Sequence, residues 1–155
     1  MHDPNDDIVP SRVRTEILES HQRIRARISE VRRIGTFTRT NGALLPQLTE
    51  ATGDLLSAVR EHLAREQQVL IPTLRAIDAW GPERARRLLA THRAQHALIE
   101  RTERVLRRER CSCHEAVDCV EDLARTLERD MEEEARTHIS ERLLSDYIRV
   151  DFGGA

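Results

Sequence analysis

The chain has 155 residues, 39% hydrophobic and 34% charged, which suits one domain with a real apolar core and excludes a disordered tail protein. Its net charge is −2 with both signs interspersed, so no basic stripe marks a nucleic-acid binder. Aromatics make up only 3%, β-branched residues are scattered, and no apolar run approaches 18 residues, which argues against a β-fold and a membrane span. The 25 basic residues are all arginine, so no Schiff-base lysine chemistry is open to this sequence. The start, MHDPNDDIVP, lacks the basic and apolar regions of a signal peptide, and the expected location is the cytoplasm.

Four helical patterns follow in order. The first is expected from about Ser11, a candidate N-cap, to Thr36, with Ile17, Ile24, Ile28 and Val31 on one stripe. Asn41, Gly42 and Pro46 mark the loop after it. The second runs from about Pro46 to Ala79 with Leu55, Val59, Val69, Leu70, Thr73 and Ile77 inward, and Pro72 should kink it. Trp80-Gly81-Pro82 is a turn, and Pro82 suits the first position of the third helix, which continues to about Arg110 with Leu88, Ile99 and Leu106 inward. The fourth starts near His114 and carries Val120, Leu123 and Leu127 inward. Ile139 and Leu143 leave that stripe, which predicts a kink or a short fifth helix over Leu143–Ile148, with the DFGGA tail frayed. Short connections make this an all-α, up-down-up-down antiparallel four-helix bundle over about residues 11–140, one domain in 1–155.

Polar residues interrupt every apolar stripe. His21 sits between Ile17 and Ile24. His62 and Glu66 share the face of Val59 and Val69, and His92 and His96 that of Leu88 and Ile99. Asp130 and Glu134 continue the face of Leu123 and Leu127, with His138 one turn further on. Spacing of i, i+4 stacks side chains on one side of a helix. Counted from each turn at about 1.5 Å per residue, the groups from all four helices agree in level to about 5 Å. Burying them unpartnered would cost about 1–3 kcal/mol per group. A metal supplies the partner, and imidazole with carboxylate suits iron, manganese or zinc. Glu132 and Glu133 point off this face as a solvated charge run.

Cys111, Cys113 and Cys119 lie with His114 in one short stretch. An odd count does not suggest a disulfide framework. The spacing is atypical for a Cys3His zinc site, and reduced thiols at a helix turn are the plain reading, with a redox-sensing pair as the alternative.

The segments ESHQRIR, REHLAREQQVLIP and ATHRAQHALI resemble the hemerythrin-like (HHE cation-binding) family, including Pro72 six residues after Glu66. The resemblance implies two non-heme irons, oxo- or hydroxo-bridged, with His21 and His62 on one, His92 and His96 on the other, and Glu66 between them. It departs on the fourth helix: Glu134 fits the second bridge, but Asp130 stands where the family places a histidine. A carboxylate ligand there should favour the ferric state, making peroxide or nitric oxide chemistry or redox sensing better expectations than reversible dioxygen carriage. His138 is the alternative ligand, about 6 Å further along the axis. The expected partner is a diatomic gas or peroxide, without nucleic acid or membrane. A protein partner enters if the chain is a sensor, signalling through helix repacking or the cysteine cluster.

Overall fold

The computed structural model describes residues 9–146. Helix α1 spans Pro10–Thr38 and α2 spans Leu45–Arg65, joined by a short 3₁₀ turn over Gly42–Leu44. After α2 the chain passes through a π turn, Glu66–Leu70, into α3, Ile71–Ile77. Helix α4 covers Gly81–Leu106 and α5 covers Cys113–Thr137. The α2–π–α3 rod is one arm of the bundle, so four rods pack in sequence with α1 and α5 closing the ring. The all-α, antiparallel four-helix bundle expected from the sequence is the observed fold, with no strand among the described residues.

Each rod begins and ends where local chemistry dictates. Val9 precedes α1 and Pro10 occupies its first turn, so Ser11 lies inside the helix and is not its N-cap. The exposed donors of that turn are met from far along the chain. Asp146 accepts from the Ser11 backbone N–H at 3.0 Å and from Ser11 Oγ at 2.5 Å. Ser112 opens α5 with a capping box: its hydroxyl accepts from the Glu115 N–H, and the Glu115 carboxylate accepts from the Ser112 N–H.

The kink expected at Pro72 takes a specific form. Proline cannot donate to the carbonyl one turn back, and the widened turn lies immediately before it. An extra residue in one turn rotates everything beyond it. Leu70, Ile71 and Leu74 therefore take the buried phase with Thr73, while Val69 and Ile77 are only half-buried. Beyond α5 the chain turns rather than forming a fifth helix over residues 143–146. Ile139 and Leu144 tuck beneath the bundle, fully buried. The rest of the expected fifth helix and the DFGGA tail lie outside the described residues.

Two apolar clusters fill the bundle. One gathers Ile24, Ile28, Leu55, Val59, Leu123 and Leu127, and the other Val13, Ile17, Leu70, Leu74, Leu88 and Ile139. Along every rod the residues that separate them are polar: His21, His62 and Glu66, His92 and Gln95, and Glu134.

The turn into α4 is the tightest place in the chain. A Cβ on Gly81 would lie 1.9 Å from the backbone oxygen of Leu74, so only glycine fits without moving backbone. Gly81→Ala should therefore destabilise the fold by about 2 kcal/mol, lowering the melting temperature by roughly 4–8 °C. Gly53→Ala, exposed on α2 with nothing within 4 Å of its Cβ, should stabilise by about 0.5–1 kcal/mol. Thermal unfolding of both variants checks the pair, and equal shifts would contradict this geometry.

Candidate metal centre

His21, His62, Glu66 and Glu134 present ligand atoms that all lie within 4.8 Å of one another, and each of the four is buried. They come from three rods: His21 from the middle of α1, His62 from the last turn of α2, Glu66 from the first residue of the π turn, and Glu134 from the end of α5. The fourth rod contributes His92, whose Nε2 lies 2.5 Å from Glu66 Oε2. Glu66 is thus flanked by imidazoles on both oxygens, with His62 Nε2 3.0 Å from Oε1. That second contact lacks hydrogen-bonding direction, and Oε1 remains without a hydrogen-bond partner.

Ser20 holds His62 from behind, its Oγ 3.0 Å from Nδ1. With that nitrogen donating to the hydroxyl, the Nε2 lone pair faces the carboxylates, as ligation requires. The His21 and His62 rings meet edge-on, 61° apart with centroids 5.0 Å from each other. His21 Nε2 lies 3.6 Å from Glu134 Oε2, too far for a hydrogen bond.

The charge balance of the layer is poor without a cation. Burial raises the Glu134 carboxyl well above the usual range, and the neighbouring Glu66 charge raises it further. Burial also pushes Glu66 upward, but the facing Glu134 carboxyl and the His62 and His92 imidazoles beside it hold its carboxyl below the ordinary range. A proton shared by the metal-free pair therefore favours Glu134 over Glu66. Burial, reinforced by the nearby His62, lowers His21 to about 4, so its ring is neutral at pH 7.

The hydrogen-bond inventory tests whether a metal fits. Among the described residues, both ring nitrogens of His21, His92 Nδ1, Glu66 Oε1 and Glu134 Oε1 are buried and unpartnered. Such a concentration of unmet lone pairs in one layer is rare in a folded interior. Neutral imidazoles and carboxylates facing one another are the donor set that divalent transition ions accept. The residues fit a metal.

Two expected ligands lie elsewhere. The structure places His96 on the solvent side of α4, and the inward position beyond His92 belongs to Gln95. Buried positions on α4 fall at 85, 88, 92, 95, 99 and 102, alternating steps of three and four. That is the 3.5-residue seam of supercoiled helices, and reading it in place of strict i, i+4 pairs would have singled out Gln95. Asp130 is half-buried with both oxygens engaged: Gln95 Nε2 donates to Oδ2 at 3.1 Å, and Arg129 Nη2 donates to Oδ1 at 3.1 Å. It flanks the layer without joining the cluster. Ser20, missed in the sequence, is adjacent to His21 and on the same inward side. Glu132 and Glu133 are exposed as expected.

A bundle whose rods each deliver buried imidazole or carboxylate to one central layer defines a helical cation-binding domain. The sequence profile of the Hemerythrin HHE cation binding domain matches residues 13–141, and the chain belongs to that family. No curated protein and no solved structure matched the chain.

Because burial and the facing Glu66 favour the protonated form of Glu134 when no metal is bound, loading the metal-free protein should release about one proton per chain. Glu134→Gln should release one fewer. A pH indicator in weakly buffered solution reads this directly, and equal release from both proteins would show that Glu134 is already ionised.

Proposed function

We propose that this protein holds a pair of non-heme irons in its central layer and binds or turns over a small oxidant there, namely dioxygen, hydrogen peroxide or nitric oxide. The single observation that carries the reading is the set of buried, unpartnered nitrogens and oxygens on His21, Glu66, His92 and Glu134. His21 and His62 would serve one ion and His92 the other, and Glu66, whose two oxygens face His62 and His92, would lie between them with Glu134. The presence of two carboxylates favours a pair over a single ion, since one divalent ion would leave His92 and Glu66 Oε2 with only each other.

When bound, iron supplies a redox-active centre with coordination positions that five or six protein donors cannot fill. The chain supplies the surroundings. Apolar clusters above and below the layer exclude water. Ser20 fixes the ring of His62. A groove of about 640 Å³ between α1 and α2 reaches His62 and Ser20 from solvent, and the Arg65–Glu16 ion pair stands at its rim. The groove brings a small molecule from solvent as far as His62 and Ser20, at the edge of the layer.

The sensing alternative rests on the cysteine stretch, and the structure gives it less support. Cys111, Cys113 and Cys119 are free thiols. Burial, together with the nearby Glu115, raises the Cys111 thiol above its ordinary range, which disfavours the reactive thiolate. The described helices include none long and apolar enough to cross a membrane, and a cytoplasmic location accords with the free thiols.

Metal analysis of purified protein should give close to two irons per chain, with near-ultraviolet absorption from the ferric pair. Zinc, or one ion per chain, would overturn the proposal. His92→Ala should lose at least one iron, while Arg93→Ala, exposed on the next position of α4, should keep both. Gas release on adding peroxide distinguishes turnover from sensing.

A further inference from the structure

The two halves of the proposed centre are unequal. His21 and His62 stand together on one side of the carboxylates, whereas His92 is alone on the other. The family's usual partner for it, a histidine ahead of the bridging carboxylate, is Asp130 here, and the other expected donor, His96, faces solvent. Both Asp130 oxygens are already engaged by Gln95 and Arg129. The half-site needs a donor from elsewhere.

We propose that His138, one turn beyond Glu134 at the C-cap of α5, is the missing ligand on the His92 side. This deepens the di-iron reading and rests on it. His138 Nδ1 is buried and has no hydrogen-bond partner among the described residues. The residue is four positions from Glu134, and its backbone N–H still donates to the Glu134 carbonyl at 2.8 Å, so the helical turn is intact and both side chains leave the same side of α5.

The chain just beyond holds His138 in place. The Ile139 carbonyl accepts from Arg14 Nε of α1 at 3.0 Å, and the Ile139 side chain is fully buried in the lower apolar cluster. A residue merely fraying from a helix end would not be tied down by its immediate neighbour in this way. The resulting donor set is balanced: two imidazoles for each ion, His21 with His62 and His92 with His138, and two carboxylates between them. In effect the one imidazole that the family places on the last helix has moved from one side of the bridging carboxylate to the other. An imidazole in place of the Asp130 carboxylate also leaves the pair one negative charge lighter, so the ferric bias expected from an aspartate ligand does not apply.

The test compares metal retention in the full chain. His138→Gly leaves a residue that helix C-caps accept readily, so the fold should persist, as circular dichroism will show. Metal content should fall from two ions to about one, with loss of the remaining metal to a chelator at least tenfold faster than from the unaltered protein. Added imidazole should restore the second ion, because a free ring can occupy the space left by the side chain, which a purely structural role would not allow. Asp130→Ala and His96→Ala should each retain both ions. Unchanged metal content and chelator kinetics in His138→Gly, or a loss that imidazole does not reverse, would overturn the assignment. Failure of the di-iron reading is seen separately, in the metal count and identity of the unaltered protein, while the His138 assignment is judged on the difference between variant and parent.

Discussion

A layer of imidazoles and carboxylates lies across the middle of this bundle, with apolar packing above and below it, and most of the structure is arranged around that layer. Each polar group in it is carried on a helix whose neighbouring inward residues include Ile, Leu, Val or Met, so none of them can turn outward without dragging an apolar stripe into water. Fully burying such a side chain contributes about 1.5–3 kcal/mol. Several stripes together outweigh the cost of the few unpartnered polar atoms between them. The bundle thus holds these groups in place with no ion present, and a bound ion would relieve what is left unsatisfied. Pre-positioning of this kind is what a tight site requires, because little further ordering remains to oppose binding.

The layer also explains where the helices depart from regularity. Glu66 is the first residue of the π turn, and the widened turn separates the register of His62 above from that of Leu70 and Leu74 below. Without it, one continuous helix would have to satisfy the seam on both sides of the layer, with Pro72 blocking a backbone hydrogen bond in the same stretch. Insertions of this sort recur at functional sites, where they re-aim one side chain while the helix continues. Gly81, pressed against the Leu74 carbonyl, brings α4 back closely enough for His92 to reach Glu66.

Electrostatics gives the same layer its chemical character. Two carboxylates this close in a dry interior cannot both be ionised unless a cation lies between them. In the metal-free chain burial and the Glu66 charge favour a proton on Glu134, while burial keeps His21 neutral. Replacing a proton by a metal ion is then an exchange of one positive charge for a larger one, in a place already shaped for it. The outer charges serve packing instead: Arg32 bridges Glu121 and Glu128 between α1 and α5, and Arg60 meets Glu103 between α2 and α4, on the exposed sides of the bundle.

The helices, their order and their antiparallel packing were legible from apolar periodicity and from breakers at Pro46, Gly81 and Pro82. His21, His62, Glu66, His92 and Glu134 were legible because each interrupts an apolar stripe, and polar groups in that position must converge or unfold the core. What only the tertiary structure decided is finer than one helical turn. Residues three and four beyond His92 lie about 60° to one side of it and about 40° to the other. Sequence spacing cannot choose between Gln95 and His96, and the choice falls to supercoiling against neighbouring rods, which keeps a 3.5-residue seam inward. The same limit applies to Asp130, which the structure leaves half-buried and bonded to Gln95 and Arg129, and to the one-residue shift of the π turn. Helix identity is a local property of the chain, whereas rotation about the helix axis is set by what each helix packs against.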